Sequence, residues 1–214
     1  TLLLFLSDNG ACPFFNPKFK NLDPWDPESS ANVGVGWANA DNTPFNWFKQ
    51  NQHEGGISTP AIIHYPALIG DSGGRLSDEP LHVMDVLPTL LDACGGTYPE
   101  TFPGRDVRPP SGRSFLPLLK GGTTKVHDEL FFQYVDNRAL RAGDWKLASV
   151  RGGPWELYNM KEDRTETRNL AAQYPERVEA MKARWYELAK TETKVNGKYL
   201  NPAGDSVEPW AESN

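Results

Sequence analysis

The stretch that most constrains the fold of this chain is its opening, TLLLFLSDNG. Leu2 to Leu6 are consecutive apolar residues, closed by Ser7, Asp8, Asn9 and Gly10. A short apolar run bounded by a turn signal predicts a strand buried on both faces. It is too short to span a bilayer. In open α/β sheets ligands gather beyond the carboxyl ends of the strands, so a site would be built at Asp8 and Asn9. Both offer oxygen donors, which suit a hard cation such as calcium or magnesium. Gly10 lets the chain turn sharply. Taken by itself, the quartet Ser-Asp-Asn-Gly reads as an ordinary turn.

A chain of 214 residues can bury a substantial core. Its net charge of −6 argues against a nucleic-acid-binding surface. No apolar segment is long enough for a transmembrane span. The sequence opens with Thr1, already inside the apparent strand, and is expected to be a piece of a longer protein. Cys12 and Cys94 have no metal-ligand spacing, and allow either one disulfide or two thiols.

Ala11 to Asn42 is rich in Pro, Asn, Asp and Gly and shows no sustained period, so it is expected to be an irregular excursion. Phe14, Phe15, Phe19, Trp25 and Trp37 are expected to pin it to the body rather than to line a pocket. Thr59 to Tyr65 predicts a strand, ended by Pro66. Leu81 to Cys94 contains a helix, with Val86, Leu87, Leu90, Leu91 and Cys94 on one face. Asp85 is placed to cap its start and Gly95 to stop it. Ser114 to Lys120 predicts a helical turn.

After Gly121 the composition shifts. Strands are expected at Glu129–Val135, Arg138–Arg141, Trp145–Val150 and Trp155–Tyr158, followed by a helix over Pro175–Lys190. Val178, Met181, Trp185 and Leu188 form its apolar stripe. Arg138, Arg141 and Lys146 alternate with apolar residues, which predicts the wet face of the small sheet. The expected division is 1–120 for a large α/β domain, 121–190 for a small antiparallel sheet with a covering helix, and 191–214 for an irregular tail.

Three segments carry a resemblance to a known family. They are LLLFLSDNG (Leu2–Gly10), NTPFNWFKQNQHEGGISTPAIIHYP (Asn42–Pro66) and RALRAGDWKLASVRGGPWELYNMKEDRTETRNL (Arg138–Leu170). DVLPTLLDACG (Asp85–Gly95) adds a fourth. In this order they resemble the C-terminal half of the formylglycine-dependent sulfatases, closest to the bacterial arylsulfatase branch. The resemblance implies the C-terminal part of a mixed-sheet α/β domain of the alkaline-phosphatase-like superfamily. It implies that Asp8 and Asn9 ligate one divalent ion, usually calcium. It makes Lys49, five residues before Glu54, the catalytic side chain that holds a sulfate oxygen. An ammonium and a divalent cation on one sulfate would offset charge where the transition state needs it. His53 is a substrate-side candidate that also orders the loop by hydrogen bonding, and Glu54 reads as structural. His64, His82 and His127 are assigned structural or surface roles. Asp163, Arg164 and Glu166 read as a local charge network.

The family nucleophile is a formylglycine made within a Cys/Ser-x-Pro-x-Arg pattern. Cys12 is followed by Pro13 and has Asn16 four positions on, and Ser58-Thr59-Pro60 has Ile62 in place of arginine. The resemblance therefore implies a nucleophile and two further metal-binding aspartates upstream of Thr1, in the missing N-terminal half of the enzyme. The substrate implied is an aryl or carbohydrate sulfate ester, and the compartment implied is periplasmic or extracellular. Two alternatives stay open. One is a non-catalytic or self-associating module derived from a sulfatase. The other, disfavoured by Asn9 where a histidine is usual, is a phosphonate or phosphodiester hydrolase.

Overall fold

A computed structural model describes residues 1–14, 23, 25–27, 34–70, 73–192, 194–195 and 198–199. In chain order its elements begin with β1 (Leu3–Leu6), α1 (Gly34–Asp41), α2 (Glu54–Ile57), β2 (Ala61–His64) and α3 (Pro66–Ile69). A 3-10 turn (Val83–Asp85) leads into α4 (Val86–Cys94). Next come β3 (Thr101–Phe102), β4 (Arg105–Asp106) and α5 (Leu116–Leu119). The last part holds β5 (Glu129–Tyr134), β6 (Asn137–Ala142), β7 (Trp145–Ser149), β8 (Glu156–Asn159), α6 (Pro175–Glu192), β9 (Lys194–Val195) and β10 (Lys198–Tyr199). This mixture of helices and antiparallel sheets is an α/β fold. Among the described residues no helix is long and apolar enough to cross a membrane.

The chain folds as two compact units that interleave along the sequence. One comprises Thr1–Asp8 and Pro60–Asp128, the other Asn9–Thr59 and Glu129–Asn214. The division expected from composition, by contrast, is sequential.

In the first unit β1 pairs antiparallel with β2, Phe5 opposite Ile62. β1 is not buried on both faces as expected: Leu3 and Phe5 are 54% and 69% exposed, and Ile62 is 60% exposed. Among the described residues β1 has one strand neighbour, and the ribbon face that carries Leu3, Phe5 and Ile62 is exposed. α4 forms as its apolar spacing predicts and ends at Gly95, which takes the left-handed conformation that glycine tolerates. Asp85 does not cap α4 with its side chain. That carboxylate, fully buried, accepts instead from the backbone N of His82 and of Arg113, both at 2.8 Å. It also pairs with His127 Nε2 at 2.8 Å. His82 and His127 are thus structural, and Asp85 is the hub that holds them.

In the second unit β5-β6-β7-β8 form an antiparallel meander. Side chains alternate across a strand, so each strand presents one set of residues to each face. Leu140, Leu147 and Leu157 pack against Met181, Trp185 and Ala189 of α6. Trp185 is fully buried, stacks on Phe131 at 5.2 Å and donates from Nε1 to Phe132 O. Ala139, Ala148, Tyr158 and Met160 make a second buried cluster. That is where the wet face was expected, and it is not wet. Arg138 and Arg141 lie three residues apart and therefore cannot share a face. Arg138 sits over the Trp185 ring, 5.4 Å from its centre.

Within the excursion, Gly34–Asp41 is helical although no apolar stripe announced it. The helix buries Ala38 alone. Phe14, Trp25 and Trp37 are 45%, 80% and 70% exposed, so they do not pin the segment as expected. Phe15, Phe19 and most of the expected tail lie outside the described residues, although β9 and β10 pair within the tail. Cys12 and Cys94 are not in a disulfide.

Candidate functional site

Within the second unit the segment that starts at Asn9 is tied to residues 42–56 by backbone hydrogen bonds. Gly10 N donates to Gly56 O at 3.0 Å, and Lys49 N donates to Ala11 O at 3.2 Å. Ala11 N donates to Asn42 Oδ1 at 3.0 Å, and Asn42 Nδ2 donates on to Trp47 O at 3.1 Å. The approach is close enough to demand glycine. A Cβ on Gly10 would lie 1.8 Å from Gly55 O, and Cβ atoms on Gly55 and Gly56 would lie 2.1 Å from Trp47 O and Asn51 O. Trp47 and Gln50, flanking Lys49, hold positive φ of 65° and 77°. The HEGG stretch is therefore the short helix α2 folded under a tight coil that carries Lys49.

Asp8 is exposed and is peptide-bonded to half-buried Asn9. Lys49 is half-buried. Among the described residues there is no group of three or more His, Cys, Asp or Glu side chains able to hold a metal ion.

His53 and Glu54 are both buried and both gripped by groups from the sheet and the turn after it. His53 Nε2 lies 2.8 Å from Glu156 Oε2, which also accepts from Tyr158 Oη at 3.0 Å. Among the described residues His53 Nδ1 has no hydrogen-bond partner. The hydrogen bond from His53 holds the Glu156 carboxyl below its ordinary range, against the opposing effect of burial. Burial, followed by the charge of Glu156, pushes the Tyr158 phenol up.

Lys146 corrects the expectation of a wet face most sharply. Its side chain has no exposed surface. Nζ lies 2.7 Å from Glu54 Oε1 and 2.8 Å from Glu166 Oε1, the second contact being an ion pair without hydrogen-bond alignment. Glu166 Oε2 accepts from Glu54 N at 2.7 Å. Burial alone would raise the Glu54 carboxyl, but Lys146 outweighs it, with Arg141 and Arg164 adding at longer range, and the group is held low. Glu166 thus reaches far beyond a local network, whereas Asp163 stays local and binds Thr165, Thr167 and the Arg168 backbone. Sequence reasoning missed this cluster. The one available signal was an ammonium between Trp145 and Leu147 in a strand otherwise fit for burial.

Comparison with known proteins extends the picture. Residues 44–194 match the family model described as N-sulphoglucosamine sulphohydrolase, C-terminal. An uncharacterized sulfatase of Schizosaccharomyces pombe is 33% identical over 209 residues, covering 86% of this chain and 37% of that protein. Mouse steryl-sulfatase is 31% identical over 150 residues, 70% of this chain and 20% of that protein. The chain thus spans well under half the length of these relatives. Among solved structures, Ps i-CgsB in complex with k-i-k-neocarrahexaose superposes with a TM-score of 0.63 at 20% identity, covering 87% of this chain and 36% of that one. BT4656, solved with D-glucosamine-2-N,6-O-disulfate, gives 0.56 at 20% identity, over 88% of this chain and 34% of that one. These structures share the fold. With the family model matched over more than half its length, the chain belongs to the sulfatases, as a C-terminal part of the N-sulphoglucosamine sulphohydrolase type.

Proposed function

We propose that this chain supplies one side of a sulfuric ester hydrolase site. Asp8 and Asn9 hold a divalent cation, calcium or magnesium, and Lys49 holds a sulfate oxygen. The observation that carries this reading is the hydrogen bond from Lys49 N to Ala11 O, two residues beyond Asn9. This bond ties the backbone of Lys49 to the chain that follows Asn9, which supports the reading. The donor set fits the ion in kind, since a hard cation takes oxygen ligands. It does not fit in number, because calcium takes about 6–8 oxygens, so the shell is completed from outside these residues. When bound, the cation offsets the charge of the sulfate. Lys49 supplies a second positive group at the same ester. The formylglycine nucleophile also comes from outside the chain. His53, closed off in its bond to Glu156, serves first to hold the coil under Lys49, and the substrate-side role assigned to it requires the ring to become reachable.

The test is sulfate release from 4-nitrophenyl sulfate by the whole enzyme. Lys49→Ala and Asp8→Ala are each expected to lower kcat/KM by roughly 10²–10³-fold, the scale of losing one electrostatic stabiliser. Added calcium should not rescue Lys49→Ala. Full activity in either variant would overturn the assignment of that residue.

A further inference from the structure

The polar cluster on the second face of the β5–β8 sheet is an expensive way to fill space. Lys146 is fully buried between two carboxylates. Apolar side chains of similar volume commonly stabilise a fold as well as a buried ion cluster does. The cluster does something an apolar plug cannot, which is to hold a neighbouring coil by its polar groups. Glu54 is held twice, at its carboxylate by Lys146 and at its backbone N by Glu166. Its neighbour His53 is held by Glu156 of β8. These grips fall on consecutive residues, directly after a coil that keeps Trp47 and Gln50 at positive φ on either side of Lys49. Such backbone conformations persist only where the surroundings over-determine them. The glycines of α2 cannot supply this alone. They allow the close approach to Trp47 O and Asn51 O but do not drive it.

The geometry points to Lys146 and Glu166 as positioning residues for Lys49, acting through Glu54 to fix the coil of residues 47–53. What Lys49 does at the ester rests on the reading proposed above, whereas the clamp on the coil does not. Lys146 does not meet substrate, being sealed between its two carboxylates. Its effect travels through one residue, since Glu54 stands five positions after Lys49 and opens the helix that the coil packs against.

Two measurements on the whole enzyme separate the clamp from the function. The variants are Lys146→Met and, should the former fail to fold, Glu166→Gln. The latter leaves Lys146 paired with Glu54 and keeps an oxygen for Glu54 N. The first measurement is backbone hydrogen exchange. Exchange in residues 47–57 is expected to rise roughly tenfold or more, with α6 unchanged, as for a local opening. Unchanged exchange, or a uniform rise across the chain, overturns the clamp. The second is a double-mutant cycle with Lys49→Ala on aryl sulfate hydrolysis. A displaced lysine is expected to lower kcat/KM on the order of 10²-fold when Lys49 is present. The same substitution should cost about threefold or less in the Lys49→Ala background, because the two act as a unit. Equal losses in both backgrounds would make the cluster merely structural and overturn its positioning role. A loosened coil together with an inert Lys49→Ala would leave the clamp standing and remove the sulfate-binding reading instead.

Discussion

At the scale of single residues, the site depends on contacts with no slack. Gly10 lies where a methyl group would meet the Gly55 carbonyl at 1.8 Å, and that neighbour is backbone, which cannot swing aside. Gly10→Ala should therefore push the Asn9–Ala11 segment away from residues 55–56 and break the bond from Gly10 N to Gly56 O. The expected result is a large loss of sulfate release, accompanied by faster amide exchange at Gly10 and Lys49. Wild-type exchange at both amides would contradict the close approach. Glu54 sets a pH limit of its own. Its folded carboxyl is held below the ordinary value of 4.5, chiefly by Lys146 acting against burial. A depressed carboxyl contributes stability that is complete above the unfolded value and is lost as pH falls through the folded one. Thermal unfolding followed from pH 6 down to pH 3 should show a drop in Tm below about pH 4.5. Glu54→Gln should flatten that acid limb, and an unaltered limb would mean the pair contributes nothing there.

At the scale of elements, the stripe of α6 was legible because Val178, Met181, Trp185 and Leu188 repeat at helical spacing against the sheet. Trp185→Ala is accordingly expected to cost about 3–5 kcal/mol, as for a large aromatic removed from a core. A shift in the urea midpoint is the measurement, and a loss under about 1 kcal/mol would show that α6 is not seated as described. The strands β5 to β8 were legible for the same reason, with turn residues at Gly143 and Asp144 between alternating runs. What was not legible has physical causes. Lys146 looked solvent-facing because its partners, Glu54 and Glu166, are 92 and 20 residues away along the chain, and local alternation does not report on distant carboxylates. Asp85 looked like a helix cap because its position was right, yet its carboxylate was taken by groups 28 and 42 residues further on. α1 gave no signal because a helix that buries only Ala38 has no apolar stripe to read. The proposal for Asp8 and Asn9 rests on residue type alone, and the coil around Lys49 became meaningful only once HEGG was seen in order with it.

At the scale of the molecule, the donor count decides what the isolated chain can do. In the proposed site Asp8 and Asn9 would supply only two of the oxygen-bearing side chains that a cation taking about 6–8 oxygen ligands needs. On that proposal the isolated chain would bind the cation weakly, and the sequence contains no Cys/Ser-x-Pro-x-Arg pattern from which the proposed nucleophile could be made. The 214 residues alone are therefore expected to release no sulfate from 4-nitrophenyl sulfate, with or without millimolar calcium. Turnover by the purified chain would refute the division of the site proposed here. The exposed face of the β1–β2 ribbon adds a physical consequence. Leu3, Phe5 and Ile62 leave apolar surface open beside strand edges that no other described strand pairs, a combination that favours association between chains. Sedimentation of the isolated chain should show concentration-dependent self-association, and Phe5→Lys should shift it toward monomer, because a charge at that position opposes burial of the face. A wild-type chain that sediments as a monomer at all concentrations would mean that this ribbon face does not drive association. The sulfate-release test would stand unaffected, since it depends on the missing nucleophile and not on the ribbon.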